Sequence, residues 1–230
     1  RRVVLVDGVF APKLSDLGTE KGLSIRSLRE ALDGSDGVLQ AQLFSLDTSN
    51  PMVALNSAML TDGVVIEIAD GTALSQPVHV VHVACTAASS MFTRSLLRLG
   101  KNAKATLVES YVGAGGANNY QAHDSLVIAM GDHSRLDHVR LVEDAADAVN
   151  ISSALATLGA HAHFNTFGLT SGGAVSRYQA NIVFAGENSR VETNGVNLLK
   201  GRQHADTTLL MDHAVPHCES REVFRAVLDN

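Results

Sequence analysis

The chain contains no tryptophan, only four prolines and only two cysteines, and it is short of positive charge: 18 Lys and Arg stand against 24 Asp and Glu, a net charge of −6. Each shortage excludes something. A net acidic chain without a basic cluster is not built for a sequence-independent grip on nucleic acid. Cys85 and Cys218 lie far apart with no CxxC spacing, which excludes a zinc ribbon, a thioredoxin-type motif and a disulfide scaffold. No apolar run is long enough to cross a bilayer as a helix. Seven Phe and three Tyr are few for 230 residues, so the core must be mainly aliphatic and small. Asp7 interrupts Val3-Val4-Leu5-Val6 too early for the apolar region of a signal peptide, and a reduced, cytoplasmic setting is expected. The chain does not open on Met, and the expectation is a piece of a longer protein.

What is present is 45% apolar and 18% charged, a folded rather than a disordered composition, with 19 glycines to turn it. Asp7-Gly8 between Val3–Val6 and Val9-Phe10 predicts a short hairpin. Ser27 and Glu30 form a capping box that opens a short helix with Leu28, Ala31 and Leu32 on one face. Asn50-Pro51 opens another, carrying Met52, Leu55 and Met59 and ending at Asp62-Gly63. Residues 64–68 and 78–83 read as strands by branching and alternation.

From residue 96 the chain repeats. Gly100-Lys-Asn-Ala-Lys-Ala returns as Gly131-Asp-His-Ser-Arg-Leu, Gly159-Ala-His-Ala-His-Phe and Gly186-Glu-Asn-Ser-Arg-Val, at spacings of 31, 28 and 27 residues. A degenerate copy follows at Gly201, and Gly115-Gly116 and Gly172-Gly173 fall near the half-periods. The expected coil is therefore about 14 or 15 residues with alternate turns alike, holding two strands and two turns. Neither strand buries its apolar face alone, whereas coils stacked about 4.8 Å apart do. The fold expected is all-β: a parallel β-helix core preceded by a short N-terminal hairpin and helices. Ala103, Ser134, Ala162 and Ser189 are small, as a tight corner requires, and Gly at the corner is expected to supply backbone angles that other residues avoid. Pro is absent from residues 78–215, as ladder hydrogen bonding demands.

Ten histidines invite a metal reading, most of all the His161/His163 pair. Yet His133, His161 and His204 share a repeat position with Asn102 and Asn188, which points to a turn whose side chain serves the backbone. His123 and His138 have no repeat partner and are expected to be buried and satisfied. Lys104, Arg135, His163 and Arg190 form a basic column answered by Asp137 and Glu192, the pattern of a solvated outer face. Gly113-Ala-Gly-Gly-Ala-Asn-Asn lacks the Gly-Lys-Ser/Thr ending of a phosphate loop. No Gly-x-Ser-x-Gly elbow exists. Glu109, Glu143, Asp144 and Asp147 are the candidate outer carboxylates of a β-helix glycosidase or lyase, the alternative function. His217 and Cys218 are the candidate thiol or soft-metal ligands, although strand neighbours would face opposite ways. The segment Asp212–Ser220 reads as a break in the repeat, followed by an apolar face at Val223, Phe224, Val227 and Leu228.

Val6-Asp7-Gly8-Val9-Phe10, Ala54-Leu55-Asn56-Ser57-Ala58 with Thr61-Asp62-Gly63, Pro77-Val78-His79, Gly131–His138, and Asp212-His213 with Pro216-His217-Cys218-Glu219-Ser220-Arg221 and Phe224-Arg225 run in one order along the chain. In that order they resemble the SufB/SufD family of iron–sulfur cluster assembly, the SufD branch in particular. The resemblance implies a right-handed parallel β-helix flanked by helical regions. It divides the chain into 1–63 leading into the core, 64–220 as the β-helix, and 221–230 as the start of a truncated C-terminal helical region. It also implies a non-catalytic scaffold subunit of the SufBCD complex. That subunit pairs with SufB or with itself, and engages the SufC ATPase through a C-terminal region that follows. The family's C-terminal cysteine and histidine have no counterpart here, so no catalytic residue, metal ligand or bound cofactor is carried over. The cluster itself is expected to form transiently on the full complex. An open β-helix end is an unpaired strand edge, and the expected dimer contact is residues 195–220, with Leu209 and Leu210 at the edge. Neither nucleic acid nor membrane is an expected partner. The long period also separates the chain from hexapeptide acyltransferases.

Overall fold

The structure is a computed structural model and describes residues 1–34, 37–44 and 50–229. A hairpin of β1 (Arg2–Val6) and β2 (Val9–Phe10) opens it, then β3 (Leu23–Ser27) and three helices, α1 (Leu28–Asp33), α2 (Gly37–Phe44) and α3 (Pro51–Met59). The Ser27–Glu30 capping box closes reciprocally at the start of α1, and Asn50 caps α3 through the Met52 and Val53 N–H groups. From there the chain coils as strands: β4 (Val64–Ile68), β5 (Val78–Ala84), β6 (Ser90–Leu99), β7 (Lys104–Gly113), β8 (Gln121–Met130) and β9 (Arg135–Glu143). It continues through β10 (Val149–Leu158), β11 (His163–Thr170), β12 (Val175–Phe184), β13 (Arg190–Lys200), β14 (His204–Asp212) and β15 (Glu219–Asp229).

Odd strands from β5 pair in parallel to form one sheet, with β1 and β2 at its start, and even strands form the other, ordered β14-β12-β10-β8-β6-β4-β3. A full coil is two strands and two turns, and the expected parallel β-helix stands. Its period is twice the expected one. Lys104 pairs with Arg135, Arg135 with His163 and His163 with Arg190, so each coil advances by the full 31, 28 or 27 residues. The half-period of about 14 residues is one strand plus one turn, and the two halves lie in opposite sheets.

The corner residues divide their work differently from the sequence reading. Left-handed backbone is carried not by Gly100, Gly131, Gly159 or Gly186 but by Asn102, His133, His161 and Asn188, with φ between 55° and 60°. Asn is among the residues that adopt this conformation at least cost. The glycines are there for closeness. A Cβ on Gly131 would stand 2.9 Å from the carbonyl carbon of Gly100, and one on Gly186 would stand 2.0 Å from the amide nitrogen of Ala160. Ala103, Ser134, Ala162 and Ser189 are buried beneath the corner, as their size required. His204 leaves the turn column: it opens β14.

The C-terminal segment is also corrected. Residues 219–229 are strand β15, parallel to β13 in full register, rather than the start of a helical region; Asn230 lies outside the described residues. The Pro216-His217-Cys218-Glu219 stretch continues the repeat. Glu219 pairs with Arg190, so His217 takes the place of Asn188, with φ 63°, and Cys218 takes the place of Ser189.

One half of the solenoid interior is apolar: Leu97, Leu99, Ile128, Met130, Leu136, Leu158, Phe164, Ile182, Phe184 and Val191 form one buried cluster. Outside the even sheet, α1 and α2 bury Leu28, Leu39 and Leu43 against Val65, Leu96 and Val127. Arg94 holds this outer layer down. It is fully buried on the outer face of β6, donates to Asn56 Oδ1 and to the Leu43 and Val53 carbonyls, and lies over the Phe44 ring. The basic column proves solvated as expected, with Arg135–Asp137 and Arg190–Glu192 ion pairs on the outer surface.

Candidate functional site

The other half of the interior is polar. In a strand, residues two apart share a face, and the face that buries Ala105 and Leu107 on β7 continues to Glu109 and Tyr111. The parallel register then aligns His82 with Tyr111, and Glu109 with Arg140, on successive coils. On the even sheet the inward face of β8 runs Ala122, Asp124, Leu126, Ile128, and Asp124 stacks on Thr93 of β6 and Ser152 of β10. The two sheets thus bring His82, Glu109, Tyr111, Asp124, His138 and Arg140 together inside the coil.

Their contacts are specific. The Tyr111 hydroxyl donates to Asp124 Oδ2 at 2.9 Å, and Thr93 Oγ1 donates to Asp124 Oδ1 at 2.5 Å. His138 Nε2 lies 2.8 Å from Glu109 Oε2, while its Nδ1 lies 3.1 Å from Thr166 Oγ1. The His82 ring stacks on Tyr111, centroid to centroid 4.4 Å. Arg140 is held between the Tyr111 and Tyr178 rings and bonds Asn150 and Ser152. Ligand-type atoms of His82, Glu109 and Asp124 all lie within 4.8 Å of one another. A cavity of about 20 Å³ beside them, lined by His82, Thr93, Tyr111 and Asp124 among others, has room for one water-sized occupant.

The two carboxyl groups are driven apart electrostatically. Burial pushes Asp124 up, and the negative charge of Glu109 adds to it, against the charge interaction with His82 and the hydrogen bonds from Thr93 and Tyr111. Burial also acts to raise Glu109, but the hydrogen bond and charge of His138 outweigh it and hold that carboxyl below its usual range. Burial and the neighbouring carboxylates raise Tyr111 well above an ordinary phenol, so it stays a hydrogen-bond donor. The site can therefore hold a proton or a cation between buried oxygens.

Of the residues singled out from sequence, Glu109 and His138 belong to this cluster, His123 and Asp144 line the cavity beside it, and the others lie elsewhere. His123 and His138 are buried with partners, as expected. Glu109 and Asp144 are buried inside, Asp144 bonding Tyr120 and Asn150, while Glu143 and Asp147 face solvent, so the four form no outer carboxylate pair. His217 sits in an exposed turn; Cys218 is half-buried, with Sγ 3.5 Å from the Gly186 carbonyl oxygen. Leu209 pairs with the buried, inward Ala180 and Leu210 with Asn181, so Leu209 faces the interior and Leu210, 60% exposed, faces out. His82, Asp124 and Arg140 were not anticipated. Their signal was a charged or imidazole side chain at the same parity as apolar residues within a strand, as in Val78-His-Val-Val-His82.

The turn reading of His217 makes a simple prediction. Exchange for Asn, the residue already used in that column, leaves stability within about 0.5 kcal/mol, whereas Val, which resists positive φ, costs about 1–2 kcal/mol. Urea unfolding of both variants decides it; a loss of several kcal/mol for His217→Asn would mean that the imidazole does more than occupy a turn.

Residues 82–230 match the family described as SUF system FeS cluster assembly, SufBD core domain. Over 242 residues the chain is 24% identical to an iron–sulfur cluster assembly SufBD family protein of Synechocystis, covering 99% of this chain and 53% of the relative. It is 24% identical over 234 residues to the iron–sulfur cluster assembly protein SufD of Escherichia coli, covering all of this chain and again 53% of the relative. A SufBD family protein of Mycobacterium leprae is 26% identical over 164 residues, 71% of this chain and 41% of its own. The chain thus spans about half the length of the curated relatives it matches. Among the described residues no helix is long and apolar enough to cross a membrane.

Proposed function

Because the chain belongs to the SufBD core domain family of iron–sulfur cluster assembly, we propose that it is the β-helix of a non-catalytic scaffold subunit of a SufBCD-type complex. In this reading it pairs with SufB, or with a second copy of itself, and supports the SufC ATPase during cluster assembly. The observation that carries it is the position of the family match, which falls on the stacked coils from within β5 to the end of β15. A coil of two long parallel strands is a stiff rod, suited to hold partners at fixed distances. Among the described residues β14 and β15 are the last strands of the two sheets, and Leu210, Phe224 and Leu228 are exposed on them. Pairing through the edge of such strands extends both sheets into a partner. The glycosidase reading has no support in the geometry, since its carboxylates do not converge.

Co-expression of the intact protein with SufB and SufC, followed by native mass spectrometry of an oxygen-free preparation, tests this. The expected species contains all three chains. Leu210→Asp is expected to weaken the pairing by about tenfold or more without unfolding the subunit. Leu209→Asp is no substitute, because its side chain points inward. A homodimer that takes up neither partner would overturn the assembly reading, and full pairing by Leu210→Asp would move the contact off this edge.

A further inference from the structure

We infer that His82, Glu109 and Asp124 form an internal binding site for one divalent transition-metal ion. The three side chains come from β5, β7 and β8, two from one sheet and one from the other, so ladder register rather than a flexible loop sets their spacing. Among the described residues the Nε2 of His82 is buried and has no hydrogen-bond partner, although its ring is pinned by stacking on Tyr111. A buried imidazole nitrogen without a partner is a costly arrangement, and an ion between it and the carboxylates would satisfy it.

The surrounding groups have the form of an outer coordination layer. Glu109 is oriented by His138, which is oriented in turn by Thr166. Asp124 is oriented by Thr93 and Tyr111. Such partners fix the direction of a ligand's lone pairs and tune its basicity. Two carboxylates and a neutral imidazole carry two negative charges, which balance a divalent ion. The nitrogen–oxygen donor set suits zinc, manganese, iron(II) or cobalt(II) and disfavours copper(I), which seeks thiolates. Neither Cys85 nor Cys218 belongs to the cluster. Metal–ligand bonds of about 2.1 Å require the three side chains to close by roughly an ångström, into the adjacent cavity. The inference does not depend on the scaffold reading.

Cobalt(II) is the probe, because its visible ligand-field absorption reports coordination directly. The intact protein, stripped with chelator, is titrated with cobalt(II) and metal content is counted by elemental analysis. His82→Phe keeps the ring on Tyr111 and removes the nitrogen; Asp124→Asn keeps the shape and removes the charge. The wild type is expected to bind one equivalent more than either variant, and excess cobalt is expected to raise its unfolding midpoint by about 5 °C or more. Should Asp124→Asn fail to fold, the His82→Phe comparison alone decides. Equal stoichiometry and equal thermal shifts in wild type and His82→Phe, or no cobalt bound by the wild type, would overturn the site and leave a buried proton on the carboxylate pair in its place.

Discussion

Arg94→Ala is expected to lower stability by about 3–5 kcal/mol, the largest loss for any single truncation outside the solenoid interior. The side chain is fully buried and carries a charge with no carboxylate among the described residues bonded to it; Asn56 Oδ1 and the Leu43 and Val53 carbonyls are its partners. Truncation leaves Asn56 Oδ1 and the Leu43 carbonyl without this donor, while the Val53 carbonyl keeps the Ser57 hydroxyl, and it opens a cavity between α2, α3 and β6. Burying a charge is itself costly, so a neutral side chain of similar volume recovers part of the loss. Arg94→Met is therefore expected to fall short of wild type by about 2 kcal/mol, because it fills the space but donates nothing. Urea unfolding followed by circular dichroism measures both. Limited proteolysis should cut first within residues 28–59 in either variant, since the outer layer is what Arg94 fastens. A neutral Arg94→Ala would mean that the helices hold to the sheet by their apolar face alone.

A second large effect is expected at the corner glycines. The Cβ of Gly186→Ala would stand 2.0 Å from the Ala160 amide nitrogen and 2.4 Å from the Gly159 carbonyl carbon, both main-chain atoms of the coil below. Neither can move without breaking the ladder, and a cost of about 3 kcal/mol or more follows, at the upper end of overpacking effects. Gly201→Ala is the control. Its Cβ would meet nothing within 4 Å, but its φ is +57°, so the cost is conformational and about 1 kcal/mol. Equal losses at the two positions would show that backbone angle, not coil-to-coil contact, is what these glycines supply.

The parallel β-helix was legible because Gly, Asn or His, and a small residue return together at each corner, and stacking coils is the solution that such a repeat permits. The doubled period was not, because a half-coil and a full coil look alike until one knows that consecutive strands lie in opposite sheets. The role of glycine was misplaced for a related reason: a requirement for closeness and one for positive φ leave the same letter, and only the register separates Gly131 from His133. Pro216-His217-Cys218 hid its membership of the repeat because Val215 stands where the earlier corners carry Gly. The interior polar cluster was the least legible part. His82 and Asp124 are distant in sequence and meet only when two sheets face each other, and nothing in either strand alone announces the other.

The two corners of the coil are not equivalent. From β6 to β11 the passages from even to odd strands run Gly100–Ala103, Gly131–Ser134 and Gly159–Ala162, four residues each time. The opposite passages, 114–120, 144–148 and 171–174, shrink from seven residues to five to four. Over these coils the chain shortens at one corner and along the odd strands, while the other corner keeps its four residues. A graft or a natural insertion would be tolerated at Gly115-Gly116, where a Cβ meets nothing within 4 Å, and would break the stack at Gly131. Over these coils the solenoid has a rigid spine and a pliable hem, and diversification of its surface is channelled to the hem.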